Sequence, residues 1–269
     1  KHLPSRLARL RELDGNTSVQ VRGQGTEFDS LREYVRGDDV RSIDWRATAR
    51  NTTTMLRTWR PERDRHVVIL VDTGRTAAAR VGDSTRLDAS LEAALLLGAL
   101  ASQGGDHVHL LMIDRSMRAR VTGIDGAPLL AAMSAAMAPV FPRLVDTDWG
   151  AAFAAIRSVT TRPSLVVVLT AQDSVEGARG FLSALPQPNR GTTMLVAAAS
   201  DGDLERLSRD AETREAIYLA AAAERTLAEA AQVAEAVQRA GGEALSADPE
   251  QLPQKIADRY LALKAAGRL

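Results

Sequence analysis

The 269-residue chain contains no cysteine, only four histidines, and lysine at positions 1, 255 and 264 alone. Without cysteine there is no disulfide framework, no thiolate nucleophile and no Cys-ligated zinc. The histidines, His2, His66, His107 and His109, lack the spacing of metal ligands on a helix; His107 and His109 lie two apart in the apolar run HVHLLMID, share one face of a strand and read as structural. No apolar run reaches membrane-spanning length and no signal-peptide pattern opens the chain. A Walker-type GxxxxGK[ST] loop is missing, and Gly23-Gln24-Gly25 has neither a buried strand before it nor a third glycine, so the dinucleotide fingerprint fails as well.

What is present is enough for a sizeable core: 45% of residues are hydrophobic and the formal net charge is zero. That composition suits one α/β domain with an appendage or two small domains. A small positive excess over residues 1–65 is offset by a small negative one over 200–269, a mild asymmetry that fits a protein partner better than a polyanion. The chain opens on Lys1 rather than Met. A cytoplasmic setting is expected, with any membrane contact made only through segments absent from this chain.

Residues 1–20 read as a short basic amphipathic helix with Leu3, Leu7, Leu10 and Leu13 near one face. Residues 21–65 carry short alternating segments, including Thr52 to Trp59, and form a small β-rich lead-in expected to pack on the body. From His66 onward, over 66–269, buried strand-like runs alternate with amphipathic helices. Strands are predicted near 66–72, 107–114, 164–170, 192–199 and 243–247, with a short edge strand near 118–122. Helices are predicted near 86–105, entered at the capping-box pattern Thr85-x-x-Asp88, and at 128–137, 148–159, 175–185 and 214–240. A last helix is expected to start on Asp248-Pro249-Glu250, with Asp248 as N-cap. Such alternation means a mostly parallel sheet covered by helices on both faces, a three-layer Rossmann-like α/β/α sandwich with sites at the carboxyl ends of its strands.

Two blocks carry a family resemblance. The run GTEFDSLREYVRGDDVRSIDWRATAR, followed about twenty residues later by VVILVDTGRT and, at the far end, by DRYLALKAAGRL, resembles the bacterial domain-of-unknown-function family 58. The resemblance implies a von Willebrand factor A-like domain over 66–269 and association with MoxR-type AAA+ ATPases. It also implies a metal-ion-dependent adhesion site, in which D-x-S-x-S, a distant Thr and a later Asp hold Mg²⁺ through oxygens. Here the first motif reads Asp72-Thr73-Gly74-Arg75-Thr76, so Gly74 replaces a Ser, and the run after the fourth strand reads Leu169-Thr170-Ala171, where the Asp is missing. Asp72, Thr76 and Thr147 are the candidate ligands of a degenerate site, with Arg75 as a cation standing in for the ion and Asp148 or Asp173 as compensating carboxylates. At most weak Mg²⁺ binding is expected, no other cofactor, and Gly74→Ser with Ala171→Asp is expected to add affinity provided Arg75 points away from the site.

The block from Gly23 to Asn51 admits three readings. Glu27, Asp38, Asp39 and Asp44 could form a carboxylate cluster for metal-assisted hydrolysis, but Arg32, Arg36, Arg41 and Arg46 alternate with them. Trp45, Trp59 and several arginines could serve nucleic acid, yet the same span is rich in acids and no basic stripe results. The favoured reading is a brace: Gly37-Asp38-Asp39 as a turn, Arg forks on carboxylates, and Phe28, Leu31, Tyr34, Ile43 and Trp45 as its apolar side. Trp45 is expected to be buried and Arg41 or Arg46 to be paired; Glu27, Arg32, Asp38, Asp39, Arg41, Asp44 and Trp45 are then the family motif and a candidate partner surface. The function expected is a non-enzymatic protein-interaction module working with a MoxR-type AAA+ ATPase, without nucleic acid; a metal-assisted hydrolase using the 27–44 carboxylates is the alternative.

Overall fold

The computed structural model describes residues 27–35, 38, 40–50, 53–60, 65–189, 191–209 and 213–269. The predicted N-terminal helix over 1–20 lies outside them. The chain divides at Arg65 into two compact units.

In the smaller unit, β1 (Glu27–Glu33) pairs antiparallel with β2 (Met55–Arg60), and the register shifts between Phe28 and Ser30. Between them lie a 3-10 turn (Val40–Ser42) and a four-residue helix, α1 (Trp45–Thr48), returned to β2 by the Ile43 to Leu56 bridge.

The larger unit is built on six strands: β3 (His66–Asp72), β6 (His107–Ile113), β7 (Met117–Val121), β8 (Pro163–Leu169), β9 (Thr193–Ala199) and β10 (Glu243–Ala247). Their order across the sheet is β10-β9-β8-β3-β6-β7, with all pairs parallel except β6 with β7. The continuous apolar runs predict central strands, and β3 is buried throughout apart from His66, because helices cover both faces. A small hairpin of β4 (Arg80–Val81) and β5 (Ser84–Thr85), not foreseen from sequence, leads into α2 (Arg86–Gln103).

One face carries α2, α3 (Pro128–Met137) and α8 (Leu252–Ala265) over Val67, Ile69 and Val71. The other carries α4 (Trp149–Val159) and α5 (Arg179–Ala184), whose Trp149, Phe153 and Phe181 stack on Val68 and Leu70. Helix α2 begins at the foreseen capping box of Thr85 and Asp88 and ends where Gly105, at φ +71°, turns the chain into β6. Gly98 on α2 faces α3 so closely that a Cβ would lie 2.8 Å from Met133 Sδ.

Two further elements differ from expectation. Helix α6 (Gly202–Leu207), capped by Asp201, precedes the long α7 (Arg214–Arg239) and was not predicted. Helix α8 starts at Leu252, not at Pro249; the Asp248 carbonyl accepts from Gln251 and Leu252 in a turn, and Pro253 sits in the first helical turn. Among the described residues no helix is long and apolar enough to cross a membrane.

Candidate functional site

The carboxyl ends of β3, β6 and β8 lie side by side. Parallel pairing sets Val71 against Leu169, so the next residues, Asp72 and Thr170, meet at the sheet edge. Asp72 is 3% exposed. Its Oδ1 accepts from the Gly74 amide at 2.8 Å and from Thr147 Oγ1 at 2.5 Å. Its Oδ2 accepts from Thr76 Oγ1 at 3.0 Å and from Thr170 Oγ1 at 2.7 Å. A carboxylate offers about four lone-pair sites, and here each is matched by a donor. Gln172 Nε2 in turn donates to Thr170 Oγ1 at 3.0 Å.

Local backbone bonds bring Thr147 in from its distant position. The Arg143 amide donates to the Thr73 carbonyl and the Arg75 amide to the Val145 carbonyl, each at 2.9 Å, which seats the 143–147 segment against the loop after β3. Asp148 then caps α4 through the Ala151 amide. A Cβ on Gly74 would lie 2.4 Å from Thr147 Oγ1 and 2.8 Å from the Val145 carbonyl oxygen. Gly74 is therefore a space requirement of this seating: a serine there would press on the threonine that holds Asp72, which weighs against the expectation that Gly74→Ser with Ala171→Asp adds affinity.

The structure brings Asp72, Thr76 and Thr147 together as the motif predicts, but these residues fit a divalent ion poorly. Mg²⁺ asks for near-octahedral oxygens at about 2.0–2.1 Å. Here the hydroxyls contact the carboxylate itself, and Gly74 and Ala171 supply no side-chain oxygen. Among the described residues no group of three or more His, Asp or Glu side chains could hold a metal.

The expected compensations are also engaged elsewhere. Arg75 does not turn toward Asp72; it pairs with Asp146 at 3.1 Å, with both side chains largely in solvent. Asp148 is a helix cap, and Asp173 is forked by Arg86, whose Nη2 lies 3.0 Å from Oδ1 while Nη1 binds Oδ2. Arg86, only 8% exposed, is a buried cation at this edge that sequence reasoning overlooked. It lines, with Asp72, Thr76, Ser90, Thr170 and Ala171, a cavity of about 10 Å³, room for one water at most.

A second buried carboxylate, Asp114, ends the apolar run of β6. Its Oδ1 accepts from the Ser116 amide at 2.9 Å, and Arg118 Nη1 reaches its Oδ2 at 2.7 Å. Burial pushes its pKa up, yet the bonds from Arg118 and Ser116 outweigh that and hold it below the usual carboxylate range. Arg143 Nη1 stands 3.8 Å from the same oxygen, and the Asp114 carbonyl accepts from the Asp148 amide, so the loops after β6 and before α4 are tied together. Thr170 and Asp114 were both missed, although each stands at the end of an apolar run, where a parallel sheet places its site.

In the smaller unit, Arg32 forks Asp38 with two bonds of 2.8 Å, and Asp38 Oδ2 also accepts from the Val35 amide. The Asp38 hydrogen bond raises the Arg32 pKa above its ordinary value. Asp44 Oδ1 caps α1 by accepting from the Arg46 and Ala47 amides. These contacts lie within the smaller unit, and they occupy two of the four acids proposed for hydrolysis. Asp39 and the Glu27 side chain lie outside the described residues, and Arg41 sits in the 3-10 turn. The burial of Trp45 is overturned. As first residue of a capped single-turn helix that buries nothing, it is 70% exposed, and Leu56 is the apolar side chain that is covered.

The larger unit is thus a mostly parallel α/β/α domain whose loop after β3 is held by hydroxyls on Asp72. The chain belongs to the family described as "Protein of unknown function DUF58", whose model matches residues 30–234, so the resemblance read from the sequence is borne out. An uncharacterized protein of Mycobacterium bovis, Mb1516, and one of Mycobacterium tuberculosis, Rv1480, are each 28% identical over 160 residues, 59% of this chain and 50% of theirs. The match spans about half the length of those relatives. Among solved structures, the SpRpn10 VWA domain is similar with a TM-score of 0.44 at 12% identity, covering 72% of this chain and 94% of that one. BatB from Bacteroides thetaiotaomicron is similar with a TM-score of 0.39 at 13% identity, covering 76% and 99%.

Proposed function

We propose that this chain is a non-enzymatic, cytoplasmic protein-interaction module that displays its binding rim without a resident divalent ion and works with a MoxR-type AAA+ ATPase in assembling or maturing bacterial protein complexes. The observation that carries the reading is the convergence on Asp72 of four donors from three segments. Thr147 latches the loop before α4, and that loop presents Phe141 and Leu144 at 72% and 82% exposure. Large apolar side chains held out on a fixed loop favour association, because little ordering entropy remains to be lost on binding. The choice of ATPase rests on the family resemblance.

The test is binding between the purified chain and a MoxR-type ATPase of the same host, measured with Mg-ATP present. Saturable binding is expected, weakened about tenfold or more by Leu144→Asp and unaffected by Arg225→Ala on the exposed face of α7. No binding, or hydrolytic turnover by the chain alone, would contradict the proposal.

A further inference from the structure

The rim loop has a chemistry of its own, and this inference rests on the interaction reading above while naming what it binds. Phe141 and Leu144 flank Arg143, whose side chain is 55% exposed. Across the Asp114 tie lies the turn after β6, with Arg115 exposed and Met117 39% exposed. The acids of this edge are already engaged: Asp114 by Arg118, Asp146 by Arg75, and Asp148 as a helix cap. Among the described residues no carboxylate pairs with Arg115, and Arg143 is only loosely tethered at 3.8 Å. The surface left over carries the exposed apolar side chains of Phe141 and Leu144 together with the exposed Arg143 and Arg115.

We propose that this rim docks an acidic, amphipathic segment of a partner protein, its apolar side chains seated on Phe141 and Leu144 and its carboxylates forked by Arg143 and Arg115. Arginine pairs carboxylates bidentately and, with aromatic residues, is enriched at interface hot spots. A nucleic acid would meet the exposed Asp146 and too few cations. An anionic membrane surface is recognised by clusters of about four to eight basic residues, and of the four arginines here Arg75 and Arg118 are already paired with Asp146 and Asp114. The mode differs from carboxylate capture by a metal, since Asp72 is shielded behind Thr147.

The experiment uses the full chain and fluorescence anisotropy with a labelled short helical peptide of leucine and glutamate at amphipathic spacing. One twin carries lysine for glutamate, and a second carries serine for leucine. The acidic peptide is expected to bind, with both twins weaker by about tenfold or more. Arg143→Glu and Arg115→Glu should weaken the acidic peptide and favour the lysine twin, Leu144→Ser should weaken both, and EDTA should change nothing. Arg143→Gln, checked for an unchanged melting temperature, separates lost pairing from repulsion of Asp114.

Equal binding of the acidic and lysine peptides would overturn the proposal. So would indifference to both arginine variants, or binding to phosphatidylglycerol vesicles with none to the peptide. If the ATPase binds through Leu144 while the acidic peptide does not, the partner chemistry is wrong and the interaction reading stands. If the peptide binds and the ATPase does not, the partner's identity is what fails.

Discussion

Asp72 and Asp106 are 3% and 4% exposed and stand at opposite edges of the same sheet, but what satisfies them differs in kind. Asp72 sits among three hydroxyls and a backbone amide. Asp106, just ahead of β6, sits among cations: Tyr260 donates to its Oδ2 at 2.7 Å, Arg65 Nε lies 2.7 Å from its Oδ1, and buried Lys264 is 3.7 Å away. The Arg65 N–H is not aligned on the carboxylate, so that contact is an ion pair rather than a directed hydrogen bond. Lys264 also donates to the Gly104 carbonyl at 2.6 Å, which fastens α8 to the end of α2. Hydroxyls can rotate to suit a changed partner, whereas buried cations cannot lose their charge without cost. The amino edge is therefore a lock sensitive to charge, and the carboxyl edge is a latch sensitive to shape.

The largest effect should come from Asp106→Asn, which leaves Lys264 and Arg65 uncompensated at a cost of about 3–5 kcal/mol. Asp72→Asn should cost about 1–3 kcal/mol, because the threonines can turn to accept as well as donate. Equal losses in urea denaturation would erase the distinction.

Acid sharpens it further at the amino edge. Burial, aided by His66 and His107, holds His109 down at about 4, with Asp125 opposing and Arg120 adding to the shift. An unfolded histidine takes its proton near ~6.5. The unfolded state therefore binds more protons than the folded one between there and about 4. Stability should fall as pH drops through that window, by on the order of 3 kcal/mol, and this contribution should level off below it. The depressed Asp114 and Glu243 act lower down, their stabilisation being lost only as pH falls through their folded values. His109→Gln should flatten the upper part of the profile; an unchanged slope would mean another group titrates there.

At the carboxyl edge the expected effects are smaller. Thr170→Val should cost about 1.5–3 kcal/mol as a lost bond to a carboxylate, and its effect should not add to that of Thr147→Val, since both act on one group. Simple additivity in the double variant would argue against a single latch. Gly74→Ser should cost about 1–3 kcal/mol through overpacking, part of it recovered by Thr147→Ala, which clears the nearer of the two clashes. If Gly74→Ser alone is neutral, the close seating of the 143–147 loop is wrong.

Much of this architecture was legible because parallel strands buried on both faces must be continuous apolar runs, and the Thr85–Asp88 box marks the start of α2. Asp72, Thr76 and Thr147 could be found by pattern. What they do there could not, since it depends on Thr147 closing on Asp72 across 75 positions of chain. Gly74 looked like a lost ligand because a sequence records the missing oxygen but not the atom that fills its place. Trp45 looked like core because aromatics usually are, but a four-residue helix has too little surface to cover one. Asp248-Pro249 resembled a helix start and instead forms the turn before it. The DRYLALKAAGRL end lies beyond the family match, and its Arg259, Tyr260 and Lys264 prove to be anchors of α8 on Glu243, Asp106 and Gly104.

In the proposed latch hydroxyls, not an ion, hold the rim. The most direct measurement is the melting temperature of the wild-type chain in EDTA and in Mg²⁺ or Mn²⁺, at matched ionic strength. A working ion site would add about 2–3 kcal/mol at a hundred times its dissociation constant, a rise of several degrees for a chain of this size. The latch predicts superimposable transitions in all three conditions, and a clear ion-dependent rise abolished by Asp72→Asn would contradict it.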